Sequence, residues 1–164
     1  IITKKSESAE SFLSINYKLS IEKISLNPAL YPVIDERINE IEKCMRAESP
    51  LAVIFLAGST LEGILLNMAT LHPVKYNTAN SSPKDSNGKV KPFVEWKLSQ
   101  FIDVSYEIGF LREDVRRFSH GLRDFRNFIH PYEQMSKNFH PDKHTAAICF
   151  QVLKAAIHQI SMHF

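Results

Sequence analysis

The sequence predicts an all-α fold, an up-and-down bundle of about five helices behind a short N-terminal extended arm. Apolar residues recur at three- and four-residue steps over most of the chain. Only five glycines and eight prolines interrupt 164 residues, so long unbroken elements are favoured over a loop-rich fold. An apolar fraction of 44% and a charged fraction of 23% belong to an ordinary globular chain, long enough for one domain with a real core and too short for two of usual size.

Residues 1–10 are polar and read as a loose lead-in. Leu13, Ile15, Tyr17, Leu19 and Ile21 then alternate strictly, the period of a short strand. A lone strand must lie against the domain, pair with a partner chain, or belong to something upstream. We take 1–27 as an N-terminal arm and 28–164 as the helical domain. The chain starts at Ile1 rather than methionine, as a piece of a longer product would, and carries no signal-peptide pattern there.

After Asn27-Pro28, Val33, Ile34, Ile38, Ile41 and Met45 mark an amphipathic helix over about Tyr31–Ala47. Ser49-Pro50 supplies an N-cap and a first-turn proline. The run LAVIFLAGSTLEGILLNMATL is apolar nearly all round and predicts the central helix, with Gly58 and Gly63 letting a neighbour approach closely. Its most apolar part, Leu51–Gly58, is too short to span a bilayer and Glu62 interrupts its continuation, so no membrane partner is expected. Residues 73–91 have loop composition and predict a flexible surface connection, long enough to suggest a function. A helix from Pro92 to about Glu107 follows, stopped at Gly109, with Phe93, Trp96 and Phe101 assigned to the core. The next helix runs Arg112–His130 and ends at Pro131. In HPDKH, His140 and His144 have a metal-ligand spacing, but Pro141 and Asp142 suit an N-cap better, and the last helix spans about Asp142–Met162. Cys44 and Cys149 read as core thiols of a reducing cytoplasm; no CxxC pair supports zinc.

A net charge of +2 means that any attraction to nucleic acid must come from local clustering. The helix Arg112–His130 shows such clustering. Leu111, Val115, Phe118, Leu122, Phe125 and Ile129 form its core stripe; Arg112, Arg116, Ser119, Arg123, Arg126 and His130 form a second, with no acid on that line. This places permanently charged donors for phosphate oxygens beside a side chain that titrates near neutrality, at a helix C-terminus that favours its cation. A solvated basic face gives the same pattern without any function. Functionally, the stripe is the minimum for cleaving RNA without metal: the 2′-hydroxyl attacks phosphorus, arginine stabilises the oxygens, and histidine moves a proton.

The stretch LRDFRNFIHP resembles the signature of the HEPN superfamily (higher eukaryotes and prokaryotes nucleotide-binding), small all-α bundles that include metal-independent endoribonucleases of toxin, antiviral and abortive-infection systems. The family motif is an arginine, usually followed by a polar residue, with four to six positions before a histidine. Arg123-Asp124 with six residues before His130 has the spacing; Arg126-Asn127 has the favoured neighbour but only three residues before His130. LAGSTLEGIL (56–65) and EWKLSQFIDVSYEIGFL (95–111) are similar in outline to the preceding family helices. The resemblance implies Arg123 and His130 as catalytic residues, with Arg126, Asn127, Arg116 and Glu62 supporting or binding phosphate. It further implies RNA as substrate, no cofactor, a homodimer in which two motif helices face each other, and an antitoxin protein as a further partner in a toxin setting. A non-catalytic module of this type, binding RNA, a nucleotide or a protein, is the rival reading. Glu62 is the only charge in Pro50–Leu71 and needs a partner: a hydroxyl, a backbone donor, or Arg123 or Arg126. Phe128 points off the core stripe, toward a dimer interface or simply an exposed edge.

Overall fold

The computed structural model describes residues 9–164; most of the polar lead-in lies outside the described residues. Eight α-helices follow in order: α1 (Ala9–Ser14), α2 (Tyr31–Arg46), α3 (Pro50–Leu71), α4 (Pro73–Thr78), α5 (Leu98–Glu107), α6 (Glu113–Arg126), α7 (Pro131–Ser136) and α8 (Lys143–Ser161). Among the described residues there is no β-strand, only an isolated antiparallel bridge between Lys84 and Val90. The fold class is all-α, as the periodicity predicts. The five long helices are the five expected ones; α1, α4 and α7 are additions of six residues each, under two turns and too short for a helical period to register.

The central helix is α3, which packs against α2, α5, α6 and α8. Val53, Ile54, Ala57, Leu61, Ile64, Leu65 and Met68 are fully buried in it. As a helix of 22 residues it is long and apolar enough to cross a bilayer, unlike the shorter run expected, but over half of its most apolar window is covered by protein. That is how a core helix that is apolar all round behaves.

The arm departs from the expected strand. Its first part is helical and buries Phe12 completely, stacked on Phe118 with ring centroids 4.4 Å apart. The period of two survives only over 15–19, where Ile15, Tyr17 and Leu19 are half-buried and Asn16 and Lys18 exposed. This segment lies against the domain, and side chains rather than a neighbouring strand tie down its surroundings. Gln151 of α8 donates from Nε2 to the carbonyls of Phe12 (3.2 Å) and Ile15 (2.5 Å). Asn67 of α3 donates to the carbonyl of Ser25 (2.9 Å) and accepts from the amide of Asn27 (3.0 Å). Residues 12, 21 and 24 belong to the same hydrophobic core as the helices.

The 73–91 connection is anchored, contrary to the expectation of a flexible loop. Tyr76 of α4 is fully buried, its hydroxyl 2.7 Å from Ser105 Oγ, and Ser82 Oγ donates to the Tyr76 carbonyl. The Glu107 carboxylate accepts from the amides of Asn80 (2.6 Å) and Ser81 (2.7 Å) and from Ser81 Oγ (2.6 Å). At the far end, Trp96 donates its indole N–H to the Lys91 carbonyl (2.8 Å). Trp96 and Phe101 are core residues, as expected, while Phe93 is half-buried in a short 3-10 turn before α5. Gly109, with φ +86°, reverses the chain after α5, a conformation that a side chain would strain. Asp142 caps α8, accepting from the Thr145 amide at 2.9 Å, while His140 pairs with Asn138.

Candidate functional site

The motif sits where α6 ends, and α6 ends earlier than the sequence suggests. Pro131 disfavours helical geometry at His130 and its ring would collide with a carbonyl four residues back. The last turn therefore tightens to a 3-10 turn over Asn127–Ile129, and His130 is extended (φ −84°, ψ 117°). His130 is thus the N-cap of α7, not the C-terminus of α6. The core stripe holds for Leu111, Val115 and Leu122, which are buried, and for half-buried Phe118 and Phe125. Ile129 leaves it and is 54% exposed.

The basic stripe is met by acids from two other helices, Glu62 of α3 and Asp103 of α5, and by Glu113 and Asp124 of α6 itself. Arg126 Nη1 lies 2.7 Å from Glu62 Oε2 of α3, so the lone charge of the central helix has an arginine partner. The stem of Arg126 fills a notch at Gly58, one turn before Glu62, where an added Cβ would stand 3.0 Å from Arg126 Cδ. Arg123 reaches its own neighbour Asp124 through Nη2, while its Nε is buried without a hydrogen-bond partner among the described residues. Arg116 lies over the Tyr106 ring (4.8 Å) and donates to Asp103 (2.9 Å) and Glu113 (3.2 Å). Asn127 and His130 are exposed, and their side chains make no hydrogen bond among the described residues. Ser119 is fully buried, its hydroxyl unpaired.

Sequence reading missed Asp103 and His120. His120 Nε2 is 2.9 Å from Asp103 Oδ1, the same oxygen that accepts from Arg116 Nε. Burial pushes the Asp103 carboxyl pKa up, but the hydrogen bonds from His120 and Arg116 outweigh it and hold the group below its ordinary value. The available signal was Asp103 itself, the only charge between Leu98 and Tyr106. Phe128 is half-buried: its ring stacks on Phe139 at 4.3 Å, and Phe125 stacks on Phe139 too. Near His130 in sequence, Ile129, Tyr132 (81%) and Met135 (66%) are exposed apolar groups.

No family model, no curated protein and no solved structure matches this chain. Among the described residues, no group of three or more His, Cys, Asp or Glu side chains is placed to hold a metal ion. At this end of α6 lie one guanidinium paired with Glu62, a second paired with Asp124, and a solvent-reachable imidazole. Such a set can bind an anion and exchange a proton with something bound beside it.

Proposed function

We propose that the chain is a HEPN-type, metal-independent endoribonuclease that works as a homodimer in the cytoplasm, in a toxin or defence setting. The observation that carries this reading is the pairing of the Arg123-Asp124 spacing with a His130 that stands clear of the protein at the break between α6 and α7. In the reaction, the 2′-oxygen of RNA attacks the adjacent phosphorus and the 5′-oxygen leaves, giving a cyclic phosphate and a 5′-hydroxyl. His130 transfers a proton at one of those oxygens, and Arg123 stabilises the charge on the non-bridging oxygens. Arg126 is a positioned donor, held by Glu62; Asn127 and Arg116 contact phosphate or support it. Ile129, Tyr132 and Met135 are the apolar surface that a two-fold mate would cover. The test is cleavage of single-stranded RNA in EDTA. Wild-type protein should cleave, and Arg123→Ala and His130→Ala should each lose at least about a hundredfold in rate; equal cleavage by all three ends the assignment.

One observation favours a non-catalytic RNA- or protein-binding module instead. Arg116, Arg123 and Arg126 already hold carboxylates of the same chain, so a phosphate competes with Asp103, Asp124 and Glu62 for their charge. Salt-sensitive RNA binding without cleavage selects that reading.

A further inference from the structure

The lysines between α3 and α5 take no part in the site above. Residues 73–97 carry Lys75, Lys84, Lys89, Lys91 and Lys97 against only Asp85 and Glu95. The rest of the chain holds fifteen lysines and arginines against sixteen aspartates and glutamates, so the whole net charge of +2 originates in this one segment. Lys75, Lys84, Lys89 and Lys97 are exposed and Lys91 is half-buried. Among the described residues none of the five is in an ion pair, in contrast to Arg116, Arg123 and Arg126 of α6.

These charges sit on a lobe anchored at both ends, by Tyr76 and the Glu107 clamp on one side and by the Trp96 indole on the Lys91 carbonyl on the other. Their positions are therefore set before any ligand arrives, which lowers the ordering cost of binding. Lys89 and Lys91 flank the bridge residue Val90, and both line a recess of about 310 Å³ together with Asn77, Asp85 and Phe93. The one carboxylate in that recess is engaged by the turn itself: Asp85 Oδ1 accepts from the amides of Asn87 (2.8 Å) and Lys89 (2.9 Å). The Phe93 ring is braced edge-on by Trp96 at 5.2 Å and by Tyr76 at 6.2 Å. Unpaired cations beside a braced aromatic ring are the equipment for gripping a single strand without reading its sequence.

We infer that this basic lobe is a second docking surface for single-stranded RNA, in which Lys89 and Lys91 hold phosphates and Phe93 stacks on a base. Naming the polyanion as RNA rests on the ribonuclease reading; the lobe itself does not depend on cleavage. The probe is a fluorescein-labelled 2′-O-methyl strand of mixed sequence, about twenty nucleotides long, which spans more than one such groove and lacks the attacking hydroxyl. Its anisotropy is followed over a range of salt concentrations, with cleavage of unmodified RNA measured separately. Replacing Lys89 and Lys91 by alanine should weaken binding about tenfold at low salt and reduce the slope of log affinity against log salt by about 1.4, for two phosphates released. Phe93→Leu should weaken binding with the slope unchanged. Lys18→Ala/Lys137→Ala, exposed lysines elsewhere, should change neither. Emission of the single tryptophan, Trp96, reports whether the lobe keeps its anchor. Wild-type cleavage with no effect of the lysine pair on affinity or slope overturns the inference and leaves the ribonuclease reading standing. Binding without cleavage, lost in the lysine pair, does the opposite. No binding by wild-type protein removes the inference at once.

Discussion

Arg126 is held in place partly by a side chain that is missing. Gly58 leaves a notch for the arginine stem, and Cβ at that position would meet Arg126 Cβ, Cγ and Cδ at 3.0–3.1 Å, closer than atoms rest comfortably. Gly63, five residues on in the same helix, has only Ile34 Cδ1 at 3.9 Å, an ordinary contact. The two glycines look alike in sequence and should respond oppositely to substitution. Gly63→Ala should stabilise the protein by up to about 1 kcal/mol, through the better helix propensity of alanine. Gly58→Val should destabilise it by about 1–3 kcal/mol, because a branched side chain forces the arginine out of its notch and away from Glu62. Urea unfolding of both variants checks the pair, and two changes of the same sign would mean that the notch is not what holds Arg126. Under the proposed function Gly58→Val should also slow RNA cleavage, whereas Gly63→Ala should not.

On the scale of elements, the connection between α3 and α5 behaves as a part of the fold because one carboxylate closes it. Hydrogen bonds from the Ser81 hydroxyl, then from the amides of Asn80 and Ser81, hold the Glu107 carboxyl below its ordinary range near 4.3. The sign follows from linkage. As pH falls the unfolded chain takes up this proton first, so the clamp contributes in full above the ordinary value and is lost as pH drops through the lowered one. Glu107→Gln should therefore raise hydrogen exchange of the Asn80 and Ser81 amides several-fold at neutral pH; unchanged exchange would mean that the clamp does not hold the loop. This clamp also shows what the sequence could not reveal. The long helices were legible because each repeats its apolar period for at least ten residues, and Glu62 was legible as a lone charge that had to find a partner. The Glu107 clamp joins residues up to 27 positions apart with no local pattern to announce it, and the lone charge of Asp103 does not point to His120, 17 positions on. The end of α6 was misplaced for a different reason: proline acts on the turn before it, so the helix stops at Arg126 rather than at the residue adjoining Pro131.

At the scale of the whole molecule, His72 joins three distant parts of the chain. It lies between α3 and α4, with its ring 5.1 Å from Phe110, which follows α5, and 5.7 Å from Phe164 at the C-terminus. Its Nε2 is buried without a hydrogen-bond partner among the described residues. Burial, and then the nearby charge of Lys75, lower the imidazole pKa below 6.5. A histidine kept neutral by the fold binds its proton more readily once the chain unfolds. Its contribution to stability is therefore complete above the unfolded value near 6.5 and shrinks as pH falls from there toward the lower folded value. Wild-type protein should lose stability on acidification from about pH 7 to pH 5, and His72→Phe should lose less, since phenylalanine keeps the aromatic contacts and has no proton to gain. Denaturant midpoints across that range measure the difference directly, with the other six histidines common to both proteins. Parallel pH profiles would show that the His72 proton is indifferent to folding. A flatter profile for the variant would place an acid-sensitive joint where the central helix, the anchored lobe and the C-terminus meet.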